Sequence, residues 1–481
     1  MKTFRDYHPD QGFLLPPNPR DWLPEGHVSL FLSDVIDHLD MGCILAEYEK
    51  GDGRGQPPYH PRMMFKLLVY GYATGKRSSR KIQEATYTDV AFRVLAGGQH
   101  PDHASISEFR RRHLKHIAEL FLKVLELCSE TGLVKLGNVA LDGTKMKASA
   151  SKHKAMSYER MCQTEKRLQE EIDALLKQAE EVDTAEDARY GKEGSGTELP
   201  EELKRRESRL AKIREAKAAL EEAAREKARQ DAAAAQAKIE ERERQEQETG
   251  VKAKGAKPKV VDPETAVPDP KAQRNFTDPE SRIMKDGATK SFEQAYNAHV
   301  AVDEHAQIIL AARVTQEAND KQQLVPTLKA VEENTGHKPK AALADAGFLS
   351  EAAVTDPALE GIDLYVAVSR QKHNQESPPA EGEAPEDSSV REKMRHKLQT
   401  EAGKKIYALR KSIVEPVFGQ TKAARGIREF LLRGLEKVEH EWELICLAHN
   451  LLKLYVCTVR TGGYAKASQV RAEGAVAVNA A

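Results

Sequence analysis

The chain has 481 residues, 40% hydrophobic and 31% charged, with a formal net charge of −1. A charged share above the usual ~25% implies a strongly solvated segment beside a real core, and the length has room for about three domains of ~150 residues. No apolar run approaches the ~20 residues of a membrane span, and the N-terminal MKTFRDYHPDQGF lacks the apolar centre of a signal peptide, so a membrane partner is not expected. The five cysteines (Cys43, Cys128, Cys162, Cys446, Cys457) never take C-x-x-C spacing. That speaks for a reducing, cytoplasmic setting and against a structural zinc site. The near-neutral balance hides an asymmetry: residues 155–250 carry 19 Lys and Arg against 25 Asp and Glu, leaving 55 against 50 for the rest. An acidic segment thus masks a slightly basic body, and a nucleic-acid partner is not excluded.

Residues 1–135 read as an all-helical domain. Apolar spacing predicts a helix over 27–39, and Pro61 and Gly75 bracket another over 61–74. A third is expected over 79–95, ending at Gly97-Gly98. Ser105-Ile-Ser-Glu108 has capping-box spacing and predicts a long helix over 107–131, closed by Gly132. Its first turns would carry Arg110, Arg111, Arg112, His113, Lys115 and His116. Cations there oppose the helix dipole, so DNA phosphate would relieve them. A solvated basic face fits the same residues equally well.

Residues 155–250 are rich in Ala, Glu, Lys and Arg and poor in aromatics. They predict two long helices folded as a hairpin, or a solvent-exposed coiled coil, with no packed centre of its own. A Pro/Lys-rich linker follows over 251–273. Next comes a β-hairpin, 295–302 and 308–314, with Asp303-Glu304-His305 at the turn. A helix over 322–331, a strand running into Asp345 and a strand over 362–368 complete an α/β core. A flexible Pro/Glu-rich loop is expected over 376–389, helices over 407–422 and 439–456, and a disordered tail beyond 460.

Three acidic residues stand out. Asp142 in VALDGTKMKAS and Asp345 in AALADAGFLS each follow a buried-strand pattern and precede a glycine, and Glu415 lies in YALRKSIVEPVFGQTK. Three convergent carboxylates can hold two hard cations through oxygen. Around Glu415 stand Tyr407, Arg410, Lys411 and Lys422, suited to phosphate contacts; a bland i,i+4 pair between Lys411 and Glu415 is the alternative. Pro416 predicts a kink or helix start at Glu415. Asn319 or Asp320 reads first as a cap for a helix beginning near 321, with a secondary site role for Asp320 as the alternative. His299 reads as a packed or surface residue, and Lys145 and Lys147 as phosphate contacts or exposed charge.

The segments LDGTKMKASAS, AYNAHVAVDEHAQIILAARVTQEANDKQQL, LADAGFLS and VEPVFGQTK, in this order, resemble DDE transposases of bacterial insertion sequences. YHPRMMFKLLVYGYATGKRSSRKIQ resembles the helical domain that precedes the catalytic domain in one branch of them. The resemblance implies an RNase H-like catalytic domain, a mixed sheet flanked by helices, over 136–154 and 275–460. The rest of the chain would be the N-terminal domain, a helical insertion with its linker over 155–274, and the tail 461–481. It implies Asp142, Asp345 and Glu415 as catalytic and metal ligands for two Mg²⁺ (or Mn²⁺). Tyr407, Arg410 and Lys422 match the residues around the Glu, and Lys411 could fill the arginine's place. Double-stranded DNA, as terminal inverted repeats and target, and a homodimeric synaptic complex follow as partners. A metal-dependent DNA nuclease and a domesticated sequence-specific DNA-binding protein are the alternatives.

Overall fold

The computed structural model describes residues 18–49, 57–190, 201–249, 262–287, 290–369 and 387–460, together with positions 380, 382 and 385. The expected tail, most of the expected 376–389 loop and the first part of the expected linker lie outside them. The chain divides into two compact units, residues 1–146 with 296–481, and residues 147–295.

The first unit opens with seven helices: α1 (Val28–His38), α2 (Gly42–Glu49), α3 (Pro61–Thr74), α4 (Ser79–Thr88), α5 (Val90–Leu95), α6 (His103–His113) and α7 (Ile117–Glu130). Helix α3 ends at Gly75, whose φ of 79° only glycine adopts at ease. The expected single helix over 79–95 is two, because the Asp89 carboxylate caps a new start at Val90. The expected 107–131 helix is also two, and the cap is Asp102 rather than Ser105, its carboxylate accepting from the backbone of Ala104 and Ser105. Arg110, Arg111, Arg112 and His113 therefore occupy the last turn of α6, not the first. There they complement the helix dipole instead of opposing it, and the electrostatic reason for an external anion falls away.

Strand β1 (Asn138–Lys147) leads out of this unit. The second unit holds β2 (Ala155–Ser157), α8 (Tyr158–Tyr190), α9 (Glu201–Thr249), β3 (Gln273–Asn275) and β4 (Arg282–Lys285), then the start of β5 (Phe292–Asp303). Contrary to the expectation from composition, α8 and α9 do enclose a small core: Met161, Leu168, Ile172, Leu203, Leu210, Ile213 and Ala216 are buried, with Phe276 packed against them. Strands β2 and β3 pair antiparallel, Ala155 opposite Asn275, and bring the two ends of the insertion side by side.

Back in the first unit follow β6 (Ile309–Thr315), α10 (Leu324–Thr335), β7 (Ala341–Ala344), α11 (Glu351–Val354), β8 (Asp363–Val366), α12 (Val390–Gln399), α13 (Glu401–Gly419) and α14 (Leu435–Tyr455). The fold is mixed α/β. Its sheet runs β4-β5-β1-β7-β8, with β6 also on β5. Strands β5 and β6 form the antiparallel hairpin, whereas β1, β7 and β8 are parallel. Val139–Leu141 and all of β7 are buried, as parallel strands covered on both faces must be. Asp303, wholly buried at the hairpin turn, accepts from the backbone N–H of Lys135, Leu136 and His305 and so holds the entry to β1.

Helix α13 passes straight through Glu415 and Pro416; the predicted break there is absent. Pro416 has no N–H for the Ser412 carbonyl four residues back, and the Gln307 side-chain amide donates to that carbonyl instead at 2.8 Å. The ladder loosens one turn later, in a π-turn over Gln420–Ala424. Helix α14 with its continuation, Leu435–Val459, is long and apolar enough to span a membrane, so the sequence does hold such a stretch. Over half of it is buried in this unit, packed on α7, α3 and β6, and its buried polar groups Glu441, His449 and Asn450 all find partners there.

Candidate active site

The parallel register between β1 and β7 sets Asn138 beside Ala341 and Ala140 beside Leu343. Two residues further along stand Asp142, within β1, and Asp345, just past the end of β7. One short apolar run thus delivers each aspartate to the same level of neighbouring strands. Asp142 accepts from the Gly143 N–H at 2.8 Å, and Asp345 from the Gly347 N–H at 2.8 Å. Burial pushes Asp142 up to about 6; Arg410 opposes that and the charge of Asp345 adds to it.

Arg410 joins the third carboxylate to this pair. It lies 3.1 Å from Asp142 and 3.7 Å from Glu415, on α13. The two contacting carboxylate oxygens are therefore at most about 9 Å apart, allowing ~1.33 Å for each guanidinium C–N bond. Glu415 is the exposed member, its side chain 54% accessible against 20% for Asp142. Tyr407 also bonds Arg410, and its hydroxyl is raised chiefly by burial. Lys422 donates to the Lys145 carbonyl at 2.7 Å, gripping β1 three residues past Asp142. Lys411 is exposed and makes no ion pair with Glu415 among the described residues. Arg410, not Lys411, is the cation that meets the carboxylates.

A fourth carboxylate enters the site. Asp320 accepts from Asn297 Nδ2 at 2.6 Å and His299 Nε2 at 2.9 Å, with Lys145 Nζ at 3.9 Å. It does not cap α10, which begins only at Leu324. Burial would raise its carboxyl, but these hydrogen bonds and Lys145 hold it below the usual range. Asn297 and His299 are fully buried on β5. Their sequence signal is two polar residues at period 2 within the otherwise apolar stretch Ala295–Val302, which places both on one face.

The basic residues of α6 are differently employed. Arg110 reaches the Tyr72 hydroxyl and the Arg77 carbonyl, each at 3.4 Å. Arg112 pairs with Glu47 and lies over the Tyr48 ring. Among the described residues Arg111 pairs only with Glu108, three positions back, and stays 71% exposed. Nearby, Cys43, His116 and Glu119, and likewise Glu47, His113 and His116, have ligand atoms within 4.8 Å of one another. Cysteine spacing alone therefore did not exclude such groups. In the second, Lys115, His116 and Arg112 already bind Glu47 and hold its carboxyl down at about 2, so a metal ion would have to displace them.

Comparison with known families adds to this geometry. Residues 17–112 match the family described as Transposase domain (DUF772), and residues 379–455 match the family described as Transposase DDE domain. The second span contains Tyr407, Arg410, Lys411, Glu415 and Lys422, and leaves Asp142 and Asp345 outside. No curated protein and no solved structure matches the chain. A helical domain of one transposase family precedes a core that ends in another. Both matches are to transposase families, and together they support a DDE-type transposase of an insertion sequence.

Proposed function

We propose that this transposase cleaves DNA at the ends of an insertion sequence and joins them to target DNA, using Asp142, Asp345 and Glu415 as ligands for two Mg²⁺ (or Mn²⁺) ions. The observation that carries the reading is the level placement of Asp142 and Asp345 on adjacent parallel strands, with Arg410 joining Asp142 to Glu415. The strand order, an antiparallel hairpin leading into three parallel strands, supports an RNase H-like core. The donor set suits the cations: it is all carboxylate oxygen, a hard ligand type that Mg²⁺ and Mn²⁺ favour. The raised Asp142 carboxyl fits too, since burial first and the Asp345 charge second disfavour its ionised form, and bound positive charge would offset both. When bound, the cations would stabilise the entering and leaving oxygens of phosphodiester exchange.

The chain's own groups supply the rest. Arg410 and the Gly143 and Gly347 amides orient the carboxylates. Tyr407, Lys411 and Lys422, along α13 and its π-turn, face the phosphates beside the reacting bond. For the terminal repeats, the geometry favours Arg111 with the exposed Arg80 and Lys81 of α4 over Arg110 and Arg112, which are spent on internal contacts. A homodimer pairing two element ends, acting in the cytoplasm, completes the reading.

Asp142→Asn, Asp345→Asn or Glu415→Gln should each abolish Mg²⁺-dependent cleavage of terminal-repeat DNA, yet leave its gel shift intact. Retained cleavage in any of the three removes that residue from the catalytic set. Cleavage without joined products would indicate a nuclease, and binding without cleavage by the wild type a DNA-binding protein.

A further inference from the structure

We propose that Asp320 is a fourth carboxylate ligand of this cation site, on the Asp345 side; this rests on the cation reading above. Its position is fixed by the two glycines that follow the aspartates. A Cβ placed on Gly143 would stand 2.9 Å from Asp320 Oδ1, and one on Gly347 would stand 3.0 Å from Asp320 Oδ2 and 2.9 Å from Asp345 Oδ1. The Asp320 Oδ2 and Asp345 Oδ1 oxygens therefore lie at most about 6 Å apart, close to the ~5 Å that one cation with oxygen ligands at ~2.0–2.6 Å can span.

The two oxygens of Asp320 are unequally used. Oδ1 takes the Asn297 amide and the His299 ring. Both donors are wholly buried, and the His299 ring is fixed in turn by the edge of Phe348, three residues past Asp345. Oδ2 takes no hydrogen bond among the described residues and faces the Asp345 carboxylate. A capping role does not fit its position, since the first helical residue is Leu324 and, among the described residues, no backbone N–H donates to the carboxylate. The nearest cation, Lys145, stands at 3.9 Å on the Oδ1 side. Clamping one oxygen with two buried donors and leaving the other open opposite a second carboxylate is how outer hydrogen bonds orient a metal ligand.

Asp320→Asn and Asp320→Ala separate this role from a structural one. In the Asn variant Asn297 and His299 both still demand an acceptor, so the amide oxygen stays with them and the NH₂ turns toward Asp345. The hydrogen bonds survive and the ligand is lost. The probe is Mn²⁺ alone, titrated calorimetrically into the full-length protein without DNA, beside urea unfolding of the same samples. Asp320→Asn should weaken Mn²⁺ binding by about tenfold or more while its unfolding midpoint stays at the wild-type value. Wild-type Mn²⁺ affinity in Asp320→Asn, with loss of stability only in Asp320→Ala, would overturn the proposal and leave Asp320 a structural residue. A wild-type protein that takes up no Mn²⁺ would overturn the cation reading itself.

Discussion

Gly143 is where the site tolerates no side chain. A methyl there would meet Asp320 Oδ1 and two atoms of the His299 ring, all at 2.9 Å. The ring is fully buried and hydrogen-bonded, so it cannot yield. Gly143→Ala should cost roughly 1–3 kcal/mol of overpacking strain and weaken Mn²⁺ binding, both measurable by denaturation and calorimetry. An alanine variant of wild-type stability would mean that Asp320 and His299 move freely. At this scale Asp142 and Asp345 were legible, because an apolar run ending in Asp near a glycine marks a strand end. Asp320 was legible only as an alternative: an Asp before a helical pattern normally caps it, and the delay of α10 to Leu324 frees this carboxylate. Arg410 and Lys411 were interchangeable in the sequence, since choosing between them needs the rotational phase of α13.

Elements were easier to find than their ends. The hairpin and the core helices follow from periodicity, but Asp89 and Asp102 each start a helix that the sequence pattern ran together or began late. The continuity of α13 past Pro416 depends on Gln307, more than a hundred residues upstream, which no local rule reveals. Helix α14 carries a testable electrostatic consequence. His449 is buried, its Nε2 donates to the Gln307 carbonyl, and burial pushes its imidazole down to about 3. The unfolded chain protonates it near 6.5. Between those values the unfolded state holds a proton that the native state does not. Stability is therefore full above ~6.5 and falls as the pH drops toward 3, by up to ~1.36 kcal/mol per pH unit. His449→Gln should flatten the pH dependence of the unfolding free energy across that window by one proton. An unchanged slope would place the acid sensitivity in another group.

For the whole molecule, the sequence located the insertion but misjudged its interior. Few apolar residues are needed when two helices face only each other, and a composition average dilutes those few. The pairing of β2 with β3, and of Ala148 with Gln294 within the same unit, was invisible because neither short strand has a periodic signature. This pairing implies an order of folding that kinetics can test. Strands β1 and β5 are neighbours in the sheet, yet the second unit separates them along the chain. Closing a flexible loop of that length costs roughly 4 kcal/mol of chain entropy. A helical hairpin forms from local contacts first, and its clasped ends then present the two strands at short range. Ile213→Asp, which puts a charge into the hairpin's core, should leave the first unit foldable but slow its refolding about tenfold or more, the equivalent of ~1.4 kcal/mol of that entropy. Both tryptophans, Trp22 and Trp442, belong to the first unit, so stopped-flow fluorescence reads its folding alone. Unaltered kinetics would mean that β1 finds β5 without help, whereas a slowed phase would make the insertion an intramolecular folding template for the sheet that carries the acidic site.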